Sequence, residues 1–380
     1  MALKMGLNDV VKMESTHLAQ VFKRLPVAIS HGNGMYLYDI EGHEYLDMFS
    51  GIAVNNVGNC HPKVVDAVKK QAEKLMHTSN WYYTLPQLEL AEKLTSITGM
   101  ERLFYSNDGS GAVETSFKLA RKATGKKEVV AFKNSFHGRT MGSLSLTWGE
   151  RYRKPFEPLV PGVRFADYGS MESLKEQVTG DTAAVIVEPI QGEAGVNIPE
   201  KGFLSELREF TADKGVLLIV DECQTGFGRT GKLFAFQHEN VKPDILVLAK
   251  ALGGGFPISA ALYSGFDFEA GQQGGTFNGN PLACAAANAS VDVILGEKLS
   301  ENSKKMGGIL LDVLLDHGLD ARGMGLMIGF NVKDGRGTVM KLIRERVLTI
   351  YSGNTIRVLP PLIIGDEHIK LFSDSLKEVL

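Results

Sequence analysis

Two stretches carry the residue types that carbonyl chemistry needs. VLLIVDECQTGFGRTG (216–231) and DILVLAKALGGGFP (244–257) each place an ionisable side chain, Asp221 and Lys250, at the carboxyl end of an apolar run. Ligands of open α/β sheets bind at such strand ends. A lysine there is partly desolvated, which favours the neutral amine and lets it attack an aldehyde. Read alone, Lys250 also fits an ordinary strand-end lysine with its stem on apolar surface and its ammonium in water. Asp221 alone also fits a helix cap or a metal ligand. Together, an amine for covalent attachment and a carboxylate to keep a pyridine nitrogen protonated match one cofactor, pyridoxal phosphate.

That cofactor requires a phosphate cradle and an aromatic face. SNDGSGAVETSF (106–117) reads as a strand, a Gly-rich turn and a helix, with Gly109, Ser110 and Gly111 where N–H groups meet an anion. The same turn by itself is also a plain tight connection. In KNSFHGRTMGS (133–143) Phe136 can stack on a planar ring, with His137 and Arg139 beside it. In isolation Phe136 fits the core and Arg139 a surface ion pair. Metal-dependent hydrolysis is the competing class, but the nine histidines form no HxH or HExxH spacing, so no metal is expected. Walker A and GxSxG patterns are lacking too.

The elements that must position these groups are legible as apolar runs. LFYS (103–106), EVVAFK (128–133), AAVIVEPI (183–190), VLLIVDE (216–222), DILVLAK (244–250) and ISAALYS (258–264) predict buried strands separated by helix-length spacers. This pattern belongs to a largely parallel sheet covered on both faces, an α/β core. GAVETSFKLARKATG (111–125) and FLSELREFTADKG (203–215) predict amphipathic crossover helices that end at glycine. GMYLYDIEGHEYLDM (34–48) predicts a small antiparallel meander. After residue 290 come a helix over 299–316, strands at 326–332 and within 356–364, and a closing helix over 366–380. The apolar stretch PLACAAANASVDVIL (281–295), charged only at Asp292, reads as a buried helix joining the domains. The expected organisation is a large domain over 50–289 and a smaller α+β domain from both chain ends, 1–49 and 290–380.

Composition bounds the partners. With 41 Lys plus Arg against 44 Asp plus Glu in 380 residues, the net charge of −3 draws the chain neither to nucleic acid nor to an anionic membrane. Small molecules are the expected ligands. Three scattered cysteines (Cys60, Cys223 and Cys284), no continuous apolar leader and no apolar run of 18 residues point to a cytoplasmic protein.

From GMYLYDIEGHEYLDMFSGIAV (34–54) to LPPLII (359–364), the motif order resembles the class III aminotransferases of fold type I, most closely their acetylornithine branch. The resemblance implies a large domain with a mostly parallel seven-stranded sheet between helices. By that resemblance Lys250, 29 positions after Asp221, carries pyridoxal phosphate, Asp221 pairs with its ring nitrogen, and Gln224 lies near its phenolic oxygen. Phe136 and His137 belong to the cofactor site. Arg139 takes a substrate carboxylate, and Tyr83 of HTSNWYYTLPQ (77–87) is a substrate contact. Glu193 of EPIQGEAG pairs with Arg357 of TIRVLPPL, and Thr276 reaches the cofactor phosphate of a neighbouring subunit, implying a homodimer with shared active sites.

The implied reaction moves the ω-amino group of N-acetylornithine to 2-oxoglutarate in arginine biosynthesis. Ornithine, 4-aminobutyrate and lysine-type donors are alternatives, as is an aminomutase or racemase on the same cofactor. One departure stands out. The family turn Asn-Ser-Gly-Ala-Glu is Asn107-Asp108-Gly109-Ser110-Gly111 here, so Asp108 must cap the helix or point away from a phosphate, with the Ser110 hydroxyl as replacement.

Overall fold

The computed structural model describes residues 5–380; the first four lie outside the described residues. Its centre is a seven-stranded sheet in the spatial order Arg102–Ser106, Ser259–Tyr263, Ile245–Leu248, Leu217–Asp221, Thr182–Val187, Glu128–Phe132, Val163–Ala166. Ser259–Tyr263 runs antiparallel to both its neighbours, and the remaining pairs are parallel. The three runs TAAVIV, ILVL and SAALY are buried at every position. Burial on both faces explains why they read as continuous apolar runs rather than alternations. Each wholly buried Val, Leu or Ile contributes about 1.5–3 kcal/mol against exposure.

The seventh strand, Val163–Ala166, is an addition to the six apolar runs. It pairs on one side only, and its VRFA sequence alternates in exposure around Arg164, so no apolar run marks it.

The helix after the first strand spans Gly109–Thr124 and starts two residues earlier than its apolar pattern. Asp108 sets that start, because its carboxylate accepts the Gly111 N–H at 2.9 Å as an N-cap. Gly125, at φ +70°, closes the other end. Ala112, Val113, Ser116, Phe117, Leu119 and Ala120 form its buried face. The second crossover helix, Phe203–Asp213, is followed by Gly215 at φ +60°.

Two four-stranded sheets flank the core. One joins the meander Ile29–Asn33, Tyr36–Asp39, Glu44–Asp47 to Val347–Leu348 from the far end of the chain, in parallel register Val347 to Leu46. The other comprises Ala321–Met324, Met327–Asn331, Thr355–Val358 and Ile350–Ser352. The strand expected within 356–364 ends at Val358, since Pro360 and Pro361 lack the N–H that a ladder requires. Helices Leu299–Asp316 and Asp366–Val379 fall where periodicity puts them. Pro281–Gly296 is a largely buried helix packed on Pro62–Lys74 and Leu85–Thr98. The division expected between 289 and 290 falls inside it.

Arg229 ties these parts together. Its guanidinium is wholly buried and donates to the carbonyls of Leu326 at 3.0 Å and Pro360 at 2.6 Å, and to Ser50 Oγ and Asn56 Oδ1. Among the described residues no helix is long and apolar enough to cross a membrane, and all three cysteines are free.

Candidate active site

Four strands of the central sheet end on one edge, and the site is assembled from the segments at their carboxyl ends. Arg102–Ser106 leads into the turn 107–110, Glu128–Phe132 into the segment of Phe136 and His137, Leu217–Asp221 ends on its own carboxylate, and Ile245–Leu248 leads to Lys250. These segments enclose a cavity of ≈ 360 Å³ lined by Asn107, Asp108, Gly109, Ser110, Phe136, His137, Asp221 and Lys250, with Val54 and Phe256 at its sides.

Asp221 is buried and accepts one hydrogen bond on each oxygen. His137 Nδ1–H donates to Oδ2 at 2.8 Å and the Cys223 N–H donates to Oδ1 at 3.0 Å. Burial pushes this carboxyl upward, but the His137 hydrogen bond and charge, with the Cys223 N–H, outweigh it and hold it below the ordinary 3.8. Asp221 is therefore an anion at neutral pH. The imidazole is held by its own backbone, where the His137 N–H donates to Thr147 Oγ1 at 2.9 Å and that hydroxyl donates to the Gly138 carbonyl at 3.0 Å.

Lys250 opens a short 3₁₀ turn, Lys250–Gly253, in the left-handed region at φ +45°. For a residue with a Cβ this conformation costs about 1 kcal/mol or more, and it is the kind of strain that functional sites retain.

The turn at the helix start has free N–H groups at Gly109 and Ser110, the anion-binding end of a 16-residue helix. Gly111 stands apart from them: its N–H is committed to Asp108, and it does not line the cavity. Ser110 Oγ accepts the Arg139 N–H at 3.2 Å, and Gly138, at φ +130°, has no room for a Cβ because that atom would collide with Ser110 Oγ. The Asp108 carboxylate is used as the cap, as the altered turn required.

Other expected residues lie around the cavity rather than in its wall. Gln224 is buried, with Oε1 lacking a protein partner and packed so closely on Gly192 that a Cβ there would clash with it. The Arg139 guanidinium is exposed and stacks 3.9 Å above the Tyr152 ring and 5.3 Å from that of Phe136. Glu193 and Arg357 form an ion pair at 2.7 Å, with the guanidinium wholly buried and its Nε and Nη2 unpaired. Thr276 lies in a separate open groove with Trp81 and Gln87. Tyr83 projects into solvent, 94% exposed, and within one chain it reaches no part of the cavity.

Glu188 was not singled out from sequence. It follows the buried strand Thr182–Val187, is itself buried, and accepts the Phe136 N–H on Oε2 at 3.0 Å. Its signal was present, an acid directly after AAVIV, in the same position that drew attention to Asp221. Asn107 was also passed over; its Nδ2 donates to Asn278 Oδ1 at 3.0 Å and links the turn to the segment of Thr276.

Comparison with known proteins finds similarity along nearly the whole chain. The family model "Aminotransferase class-III" matches residues 18–380. The acetylornithine aminotransferase of Methanosarcina acetivorans is 48% identical over 379 residues, covering 98% of this chain and 96% of that protein. The enzyme of the same name from Aquifex aeolicus is 44% identical, with 96% of this chain and all of that protein covered, 100%. Among solved structures, an ornithine aminotransferase from Toxoplasma gondii superposes with a TM-score of 0.96 at 34% identity, covering 99% of this chain and 95% of that one. An acetylornithine aminotransferase from Elizabethkingia anophelis gives 0.88 at 35%, covering 98% and 100%.

Proposed function

The chain belongs to the class-III aminotransferases, with the type I α/β fold of that family, and from this premise we propose that it uses pyridoxal phosphate to move the ω-amino group of N-acetylornithine to 2-oxoglutarate, in arginine biosynthesis in the cytoplasm. The observation that carries the reading is the convergence of Lys250, the Asp221–His137 pair and the turn 107–110 on one cavity. The fit extends to the unpartnered Gln224 Oε1, a buried acceptor suited to a phenolic hydroxyl. When bound, the cofactor supplies the electron sink for the substrate carbon.

The residues divide the remaining work. Lys250 would hold the cofactor covalently, and its amine, when free, would move the proton at the substrate carbon. Asp221, fixed as an anion, would keep a ring nitrogen protonated. Gly109 and Ser110 would hold the phosphate, Phe136 would contribute an aromatic face, and Arg139 would take the carboxylate at the far end of the donor. Arg357 has donors to spare beyond Glu193, so it can receive the α-carboxylate of glutamate when Glu193 withdraws. A donor without a carboxylate on its reacting carbon is accepted while Glu193 stays in place. One pocket thus serves both half-reactions.

The groove holding Thr276, and the solvent-facing Trp81 and Tyr83, support a homodimer in which a second copy covers them and brings Thr276 and Tyr83 to its neighbour's site. The two flanking sheets read as one smaller domain built from both chain ends.

Ornithine as donor is the second reading, favoured by the superposition on the Toxoplasma gondii enzyme. Mixing the yellow full-length enzyme separately with N-acetylornithine, ornithine, 4-aminobutyrate and lysine ranks the donors by the rate at which the visible band is lost. N-acetylornithine is expected to be fastest, and an equal or faster rate with ornithine overturns the assignment.

A further inference from the structure

Two carboxylates stand side by side at the cavity edge, and the chemistry described so far employs one. Val187 and Val220 are register partners in adjacent parallel strands, so Glu188 and Asp221, one residue on, leave the sheet on the same face. Parallel strands lie about 4.8 Å apart, which makes the two acids neighbours. Asp221 accepts His137 on one oxygen and the Cys223 N–H on the other, which leaves acceptor capacity for a ring nitrogen at the cavity wall. Glu188 is bound to the Phe136 N–H at 3.0 Å. Its peptide is also anchored, because the hydroxyl of the half-buried Tyr168 donates toward the carbonyls of Glu188 at 3.0 Å and Pro189 at 2.9 Å.

We propose that Glu188 is a positioning residue of the transamination site, holding Phe136 over the cofactor ring through the backbone N–H and placing a second carboxylate beside Asp221 and Lys250. The proposal rests on the pyridoxal-phosphate reading above. The ionisable groups whose charges act on Glu188 are His137, Asp221 and Lys250, and Glu188 acts in turn on Tyr168 and Cys223. Burial pushes the Glu188 carboxyl up to about 7 and Asp221 adds to that, against His137, the Phe136 N–H and Lys250. Glu188 consequently gains its charge in the range where the enzyme works, whereas Asp221 holds its charge throughout.

The two roles separate by substitution in the cofactor-loaded full-length enzyme. Two readouts serve: the rate at which pyridoxal phosphate is released, and the pH midpoint at which its visible band changes. Glu188→Gln keeps an acceptor for Phe136 but no charge. It should release cofactor within about threefold of wild type, while the midpoint moves down by about half a unit or more, because a negative charge that stabilised the cationic form is gone. Glu188→Asp keeps the charge but withdraws it from Phe136, so release should accelerate about tenfold with the midpoint nearly unchanged. Glu188→Ala should show both effects. Wild-type release and wild-type midpoint in the Gln and Asp variants overturn the proposal, and so does any pairing other than the one stated, whether or not the Ala variant folds. A wild-type enzyme that takes no borohydride-fixed label at Lys250 overturns the underlying reading and this proposal with it.

Discussion

Two contacts between an acid and a basic side chain, nearly equal in length, differ in how they are closed. Asp221–His137, at 2.8 Å, is closed on both sides, with side chains 4% and 0% exposed; Glu193–Arg357, at 2.7 Å, leaves its acid 37% exposed. Opening the first would strand a carboxylate in a dry wall, at a cost of several kcal/mol. Opening the second sends the carboxylate to water and leaves an arginine with donors ready for another acid. Distance alone does not tell a permanent pair from a removable one; solvent access on the acid side does.

Breaking the anchor of the closed side should have the largest effect. Lys250→Ala is expected to lower turnover about 10⁴-fold and to abolish borohydride labelling. Next comes Asp221→Asn, which keeps the shape but not the charge. Turnover should fall about 10³-fold in both half-reactions equally, and an unequal loss would count against its role at the ring nitrogen.

The open pair should respond differently. Glu193→Ala is expected to retain cofactor and to favour glutamate over N-acetylornithine by about tenfold in single-turnover rates. Unchanged half-reaction rates would sink the exchange of carboxylates at Arg357.

Acid titration sharpens the contrast further. Because the folded-state value of Asp221 lies below 3.8, its contribution to stability is full above that pH and is lost as pH falls through the folded value. Glu188 has the reverse sign. Raised from 4.5 to about 7, it contributes fully below 4.5 and its share is lost as pH rises through about 7. Melting temperatures should therefore show an acid limb that Asp221→Asn flattens and a neutral limb that Glu188→Gln flattens. The smallest effect belongs to a pair open on both sides. Breaking Lys70–Asp66 on the helix surface with Asp66→Ala should leave melting within error of wild type.

Lys250 and Asp221 were legible because each ends an apolar run, and such runs become buried parallel strands whose ends share one edge. Glu188 ends an equivalent run, yet its importance depends on Thr182–Val187 lying next to Leu217–Asp221, and strand adjacency is not written in local pattern. Pro62–Lys74 and Leu85–Thr98 went unmarked for another reason. Their apolar residues, Val64 and Val68 in one and Leu90, Leu94 and Ile97 in the other, do recur at helical spacing, but both helices precede the first of the buried strand runs and so are not among the spacers between strands. Gly111 belongs to the same turn as Gly109 and Ser110, but a glycine-rich stretch does not reveal which N–H a neighbouring acid will take. The motif order, by contrast, carried the family with it, as the match over residues 18–380 shows.

The buried Arg229 has a bearing on synthesis. Two of its partners, the carbonyls of Leu326 and Pro360, are translated about 100 and 130 residues after it. Until the last of them leaves the ribosome, a cation destined for the interior lacks half its ligation, and an unmet buried charge is among the most costly defects a fold can hold. The nascent sheet can form early, but the seam that joins these distant segments cannot seal before Pro360 has been translated, and a product truncated ahead of Pro360 should be a substrate for proteolysis rather than a smaller working enzyme.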